Sequence, residues 1–226
     1  MKYLWDLTNK EGYGNRLGKY KTNINIGFVK KYFIAPGSVL DIGGGSGRFS
    51  MMLKQFGLNT LIVDINEGAV QIAQSHMLEA IKCDFINFTS PKKFEYILAI
   101  ESITYFESVD VFFQKVKDLI KPDGVFIFTI SNKNSWRTQL REFRLNRTKY
   151  LFSHNLNELY KIIEKYGFSI IARKGYMWTL VSQKYANCIF VNLFVWLEKM
   201  LRLDKFIRQS PWLLIACRYD NYSQPR

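Results

Sequence analysis

The chain is poor in cysteine and histidine. Its three cysteines, Cys83, Cys188 and Cys217, form no C-x-x-C pair, and its only histidines are His76 and His154. That excludes a disulfide framework and the usual spacings of zinc ligands. An odd, scattered set of thiols reads as reduced cysteine in a cytosolic protein. Long apolar runs are missing too. The longest stretch without a charge, Tyr185 to Leu197, holds 13 residues, where a bilayer needs about 20. Met1-Lys2-Tyr3-Leu4-Trp5-Asp6 carries an acid where the apolar core of a signal peptide should begin. There is no internal repeat and no low-complexity stretch. Acids are scarce in one part only. Residues 1–129 hold 15 Lys and Arg against 13 Asp and Glu, whereas residues 130–226 hold 17 against 6. The net charge of +13 therefore sits almost wholly in the second part, which points to an anionic partner: phosphate groups, lipid headgroups or nucleic acid.

What the chain does have is a glycine turn in a telling place. Ser38-Val39-Leu40-Asp41-Ile42 is a short apolar run ending next to a carboxylate, and Gly43, Gly44, Gly45 and Gly47 follow at once. Arg48 to Phe56 then has apolar residues at helical spacing. That is strand, glycine turn, helix. Glycines there admit positive φ and let a ligand approach where a Cβ would collide. The helix start offers unpaired N–H groups to whatever sits in the turn. A dinucleotide fingerprint G-x-G-x-x-G fails on spacing, because counting from Gly43 and Gly45 its third glycine should fall at Arg48 and falls at Gly47 instead. A second strand, Leu61 to Ile65, carries Asp64 about 20 residues on, where an acid commonly grips a ribose. The bland alternative is that the glycines only make a tight turn.

The remaining pattern alternates strand and helix. Residues 1–20 read as an irregular arm, and Asn23 to Phe33 as a helix before Pro36-Gly37. Further helices are expected over Glu67 to His76, Val109 to Ile120 and Leu156 to Tyr166, the last opened by a capping box at Asn155 and Glu158 and stopped by Gly167. Val111, Phe112, Val116, Leu119 and Ile120 are the expected core face of the helix from Val109. Strands are expected over Ala80 to Phe85, Phe94 to Ser102, Gly124 to Ile130, Phe168 to Tyr176 and Trp212 to Cys217. Short β–α links imply an open, mostly parallel α/β sheet covered by helices.

An acid just before G-x-G-x-G, with a second acid ending the next strand, resembles the first motifs of class I S-adenosylmethionine (SAM) dependent methyltransferases, in particular their small-molecule and lipid type. The likeness covers roughly residues 30–176 and resumes at the last strand. Lys121-Pro122-Asp123-Gly124-Val125 is similar to the family segment before strand five, and Tyr166-Gly167-Phe168 to that before strand six. The resemblance implies a Rossmann-like, seven-stranded sheet of order 3-2-1-4-5-7-6, with strand seven antiparallel and helices on both faces. It also implies SAM as the cofactor. Asp41, Gly43, Gly45 and Gly47 would lie beside the methionine part, Asp64 on the ribose hydroxyls, Ile65 on the adenine, Asp84 on its amino group with Phe85 beside the ring, and Ile100 nearby. Acceptor-only carboxylates suit a diol or an exocyclic amine and would repel a pyrophosphate. Strand four ends Ala99-Ile100-Glu101-Ser102-Ile103-Thr104-Tyr105, where the family places residues beside the reacting methyl. Many relatives have a Glu followed four residues later by His. Here Glu101 is followed by Tyr105, so the candidate catalytic pair is Glu101 and Tyr105, with a phenol in place of an imidazole.

Strand four carries no Asn/Asp-Pro-Pro-Tyr/Phe run, the mark of enzymes acting on amino groups of DNA bases, and no Pro-Cys pair exists for attack on a pyrimidine. The expected acceptor is therefore an O, N or C atom of a small molecule, glycan precursor or lipid-linked intermediate. The alternatives are a tRNA or rRNA methyltransferase, favoured by charge, and a SAM-binding regulatory protein that has lost catalysis. Tyr13, Arg16, Arg137 and Arg141 are candidate acceptor ligands. Arg137, Arg141, Arg144 and Arg147 share one helical face, which reads either as a grip on phosphate or as a solvated surface. Organisation is expected as one domain over 1–226, with an arm and helix at 1–34 over the cleft, a basic cap at 133–150 and an apolar, basic insertion at 177–210. In the insertion Lys184, Asn187, Asn192, Glu198, Lys199, Arg202 and Lys205 fall on one stripe opposite a wide apolar face. It reads as a core or dimer helix, or as a helix lying in a membrane interface. A cytoplasmic protein is expected, with peripheral contact at the inner membrane surface under the second reading. No metal site is expected.

Overall fold

Val39, Leu40, Asp41 and Ile42 are buried along one short strand, and the sheet grows outward from it. In this computed structural model, residues 15–145, 155–178 and 187–220 are described. The elements are α1 (Arg16–Val29), β1 (Ser38–Ile42), α2 (Arg48–Gln55), β2 (Asn59–Asp64), α3 (Glu67–Ser75), β3 (Glu79–Lys82), β4 (Phe94–Ala99), α4 (Val109–Leu119), β5 (Ile120–Ser131), α5 (Trp136–Leu145), α6 (Leu156–Lys165), β6 (Phe168–Tyr176), α7 (Phe190–Met200) and β7 (Trp212–Tyr219). The seven strands form one sheet of order β3-β2-β1-β4-β5-β7-β6. β1 to β5 pair in parallel, and β7 runs antiparallel to both β5 and β6. The order and the reversed last strand are those the family resemblance implies. The order turns at β1 and β4, and in such sheets the ligand crevice opens beyond the carboxyl ends of the strands at that point.

One core packs an aromatic cluster under α4: Phe112, Phe113, Phe126 and Phe128 are fully buried and meet Phe85, Phe106, Tyr166 and Phe168 ring to ring. The other face packs Phe28, Val29, Phe33, Phe49 and Leu53 against β1, β4 and β5. The central strands are apolar almost throughout because helices cover both their faces.

Several expectations shift at their ends. The arm at residues 1–20 is helical from Arg16, because Asn15 caps α1 by accepting from the Gly18 N–H at 2.7 Å. α1 then ends at Val29, well before Phe33. β3 stops at Lys82, since the Asp84 carboxylate accepts from the Ile86 N–H and starts a single helical turn at Phe85. β4 stops at Ala99, because Glu101 takes a positive φ of 57° that no strand accommodates. β5 begins at Ile120, which pairs with Phe94. Val111 faces solvent at 47% exposure, while Val109 and Phe113 are buried, so the core face of α4 is rotated from the expected one. Residues 1–14, with Tyr13, and residues 146–154, with Arg147 and His154, lie outside the described residues. Among the described residues no helix is long and apolar enough to cross a membrane.

Candidate functional site

The ends of β1, β2 and β4 meet around the glycine turn. Gly43, Gly45 and Gly47 all have positive φ, at 67°, 57° and 83°, but they do different work. A Cβ on Gly47 would come within 2.2 Å of the Leu78 side chain, and one on Gly43 within 2.6 Å of Ser102. Those two glycines let elements pack. A Cβ on Gly45 would meet nothing within 4 Å, so open ground lies beside this glycine alone of the three.

Two carboxylates shape the turn from below and from the side. Asp41 is buried, and its Oδ2 accepts from the Ser50 hydroxyl at 2.7 Å, which ties the first turn of α2 to the end of β1. Burial pushes its carboxyl up to about 6, against the pull of Ser50. Asp64 accepts from the Gly45 N–H and the Asn66 N–H, each at 2.8 Å. Each carboxylate oxygen can accept further bonds, so the half-buried Asp64 holds the turn and still faces the cleft. Beside it, Ile65 is 47% exposed. Asp84 is exposed at the end of β3, while Phe85 turns inward at 3% exposure and packs on Phe106 and Phe112. Ile100 is buried as well.

Beyond β4, Glu101 is held in its left-handed backbone conformation, which is uncommon outside glycine. Its N–H donates to Thr129 Oγ1 at 2.6 Å, and its carboxylate pairs with Lys21 of α1. Lys21 also stands over the Trp212 ring, 5.9 Å from its centroid. One residue on, Thr22 Oγ1 accepts from Arg48 Nη1 at 2.9 Å. α1 is thus hooked at two places, to the residue after the glycine turn and to the residue beyond β4. Tyr105 ends a short turn over Ile103–Tyr105 and is 42% exposed. The structure brings together Asp41, Gly43, Gly45, Gly47 and Asp64. It places Arg137 elsewhere: its guanidinium donates to the Met177 carbonyl at the end of β6. Arg16 is exposed at the start of α1, where its N–H donates to Asn187 Oδ1 at 3.2 Å.

Lys21, Thr22, Ser50 and Thr129 were not among the candidate residues. Lys21 and Thr22 fall beside a stretch read as an arm, and only the Asn15 cap signals that helix. Ser50 and Thr129 owe their roles to partners far along the chain.

An open space at Gly45, flanked by acceptor-only carboxylates, fits a ligand that carries hydroxyl and amino donors and a positive charge. Comparison with known proteins agrees. Residues 18–173 match the model of a methyltransferase domain family. A ubiquinone biosynthesis O-methyltransferase of Rickettsia typhi is 23% identical, covering 92% of each chain. One of Azorhizobium caulinodans is 29% identical, but over only 42% of this chain and 40% of its own length. Among solved structures, Haemonchus contortus phosphoethanolamine N-methyltransferase 2 with bound SAM superposes with a TM-score of 0.66 at 19% identity, covering 90% of this chain and 53% of that one. Synechocystis magnesium protoporphyrin IX methyltransferase with bound S-adenosylhomocysteine gives 0.64 at 15%, covering 90% and 84%. The chain belongs to this methyltransferase family, whose members take their methyl group from SAM.

Proposed function

We propose that the chain methylates an oxygen of a small, anionic, partly apolar molecule. The carrying observation is the open space beside Gly45, whose N–H donates to the Asp64 carboxylate. Asp41 and the glycine turn hold the methionine end of SAM, Asp64 the ribose hydroxyls, Ile65 one face of the adenine and Asp84 its amino group. Phe85 and Ile100 shape the floor from within the core. SAM supplies the methyl group as a sulfonium. In-line placement of the acceptor is worth roughly 7–11 kcal/mol. Glu101 receives the proton that the hydroxyl releases, and Tyr105 borders the acceptor. The curated relatives are named for ubiquinone biosynthesis, which favours an oxygen acceptor. The basic second part of the chain favours an anionic one, with Arg141 from that part and Tyr13 and Arg16 from the first as its ligands. A lipid-linked acceptor of this kind brings the segment 184–208 to a membrane surface.

The test is turnover of SAM with hydroxylated aromatic acids, with and without an isoprenoid tail. A product heavier by one methyl group is expected, and Asp64→Ala should slow its formation while weakening S-adenosylhomocysteine binding by about 1–3 kcal/mol. Tight S-adenosylhomocysteine binding with no transfer to any acceptor would replace this reading with a regulatory one.

A further inference from the structure

α7 is turned inside out. Val191 and Glu198 face inward and are buried, Val191 against Leu17 and Tyr20 of α1. Ile189, Leu193, Trp196 and Met200, one stripe of the helix and its entry, are 70%, 48%, 56% and 54% exposed. The polar stripe expected there is broken because its acid is drawn into the protein. The Tyr20 hydroxyl accepts from the Met177 N–H at 3.3 Å and bonds the Glu198 carboxyl, which the Trp178 N–H also reaches. Phe190, Leu201 and Phe206 extend the apolar surface at 57%, 54% and 60% exposure. Around it Lys199, Arg202, Lys205 and Arg208 are exposed, and the only acid between 187 and 210 besides Glu198 is the half-buried Asp204.

The neighbouring α5 repeats the pattern. Trp136, Leu140 and Phe143 are 51%, 41% and 85% exposed on one face. The helix start is tied to the segment after α7, since the Trp136 N–H donates to Gln209 Oε1 and Asn132 Nδ2 donates to the Ile207, Arg208 and Ser210 carbonyls. Arg208 also lines a cavity of about 720 Å³ with Lys161 and Arg173 and with the acid Glu158, room enough for a phosphate group.

We propose that α7 and the start of α5 form a docking face for the surface of an anionic bilayer. Exposed apolar side chains gathered on one helix and the segments tied to it mark an interaction site. Its rim of basic side chains, with the one nearby acid of the helix buried, is complementary to negatively charged headgroups, and Trp196 has the amphipathic ring that such interfaces take up. Docking of this kind rests on the lipid-linked acceptor for its purpose, while vesicle binding is read without methyl transfer.

The experiment is flotation of the full chain with phosphatidylcholine vesicles, alone or mixed with phosphatidylglycerol, at low and high salt, alongside sedimentation velocity. Binding to the anionic vesicles that weakens with salt is expected. Trp196→Glu should weaken it about tenfold or more. Lys199→Glu with Arg202→Glu should weaken it at least about 25-fold, at about fivefold per basic side chain removed. Both variants should keep the wild-type melting temperature and S-adenosylhomocysteine affinity, because these side chains point away from the protein. No binding to anionic vesicles at low salt overturns the proposal, as does binding that Trp196→Glu leaves unchanged. A dimer that Trp196→Glu dissociates, and that ignores vesicles, assigns the face to a second copy of the chain instead.

Discussion

Gly45 and Gly47 stand two residues apart at positive φ and should fail differently when replaced. A left-handed backbone costs a non-glycine residue about 1–2 kcal/mol. At Gly45 that is the main penalty for the fold, because the new Cβ meets no atom within 4 Å beyond its chain neighbours. Gly45→Val should therefore melt a few degrees below wild type and lose S-adenosylhomocysteine binding. Gly47→Ala must also displace Leu78 and Ile62, so its larger loss should appear in stability. Calorimetry and thermal melts of the pair separate the roles, and a Gly45→Val variant that still binds normally would make the turn purely structural. Asp41 sets a pH signature. Its folded value near 6 lies above the unfolded 3.8, so the folded state holds the proton more tightly. The fold then loses stability as pH rises from about 4 to about 6, by up to about 3 kcal/mol. Asp41→Asn should flatten that decline in denaturant titrations across this range. The cationic ligand should bind wild type more tightly as pH rises through 6, since it favours the ionised carboxylate, and Asp41→Asn should remove that trend too.

At the scale of elements, α1 is held from two sides. Lys21→Met removes the cation from Glu101, whose side chain is 11% exposed. A pair between surface and interior is worth about 1–2 kcal/mol, so S-adenosylhomocysteine should dissociate roughly 5–30 times faster in stopped-flow measurements if α1 closes the cleft, and at an unchanged rate if it does not. These contacts explain what the sequence allowed to be read. β1, β2 and β6 were legible because apolar runs bounded by glycine, acid and turn residues are local signals, and the capping box of α6 formed as spaced, with Asn155 and Glu158 bonding reciprocally. The family resemblance supplied the strand order, which alternation alone does not fix. The early start of α1 was hidden in a stretch rich in glycine and tyrosine. The end of β4 depends on Thr129, 28 residues away. The inversion of α7 depends on Tyr20, on a helix at the other end of the chain. Long-range partners of this kind leave no periodic trace.

For the whole molecule, the cleft lies where the ends of β1, β2 and β4 converge, so ligand should stiffen those ends together. At a hundredfold excess over its dissociation constant, S-adenosylhomocysteine stabilises the folded state by about 2.7 kcal/mol. For a chain of 226 residues that is a rise of about 5–11 °C in melting temperature. Asp64→Ala, which leaves the Gly45 N–H and, on the proposed placement, the ribose hydroxyls without an acceptor, should lower affinity by about 1–3 kcal/mol and shrink the shift at the same ligand concentration. Hydrogen exchange then locates the effect. Added protection should fall on Gly43 to Gly47, on Ile65 and Asn66, and on Glu101 and Ser102, where the ends of β1, β2 and β4 converge. It should reach α1 only through Lys21 and Thr22, the two residues that hook that helix to the turn and to Glu101. Protection of α1 that disappears in Lys21→Met while the strand ends stay protected would show that helix acting as a closure over a preformed cleft. Protection of the strand ends alone in wild type would leave α1 as a fixed wall, with ligand entering past it from the side of Ile65 and Asp84.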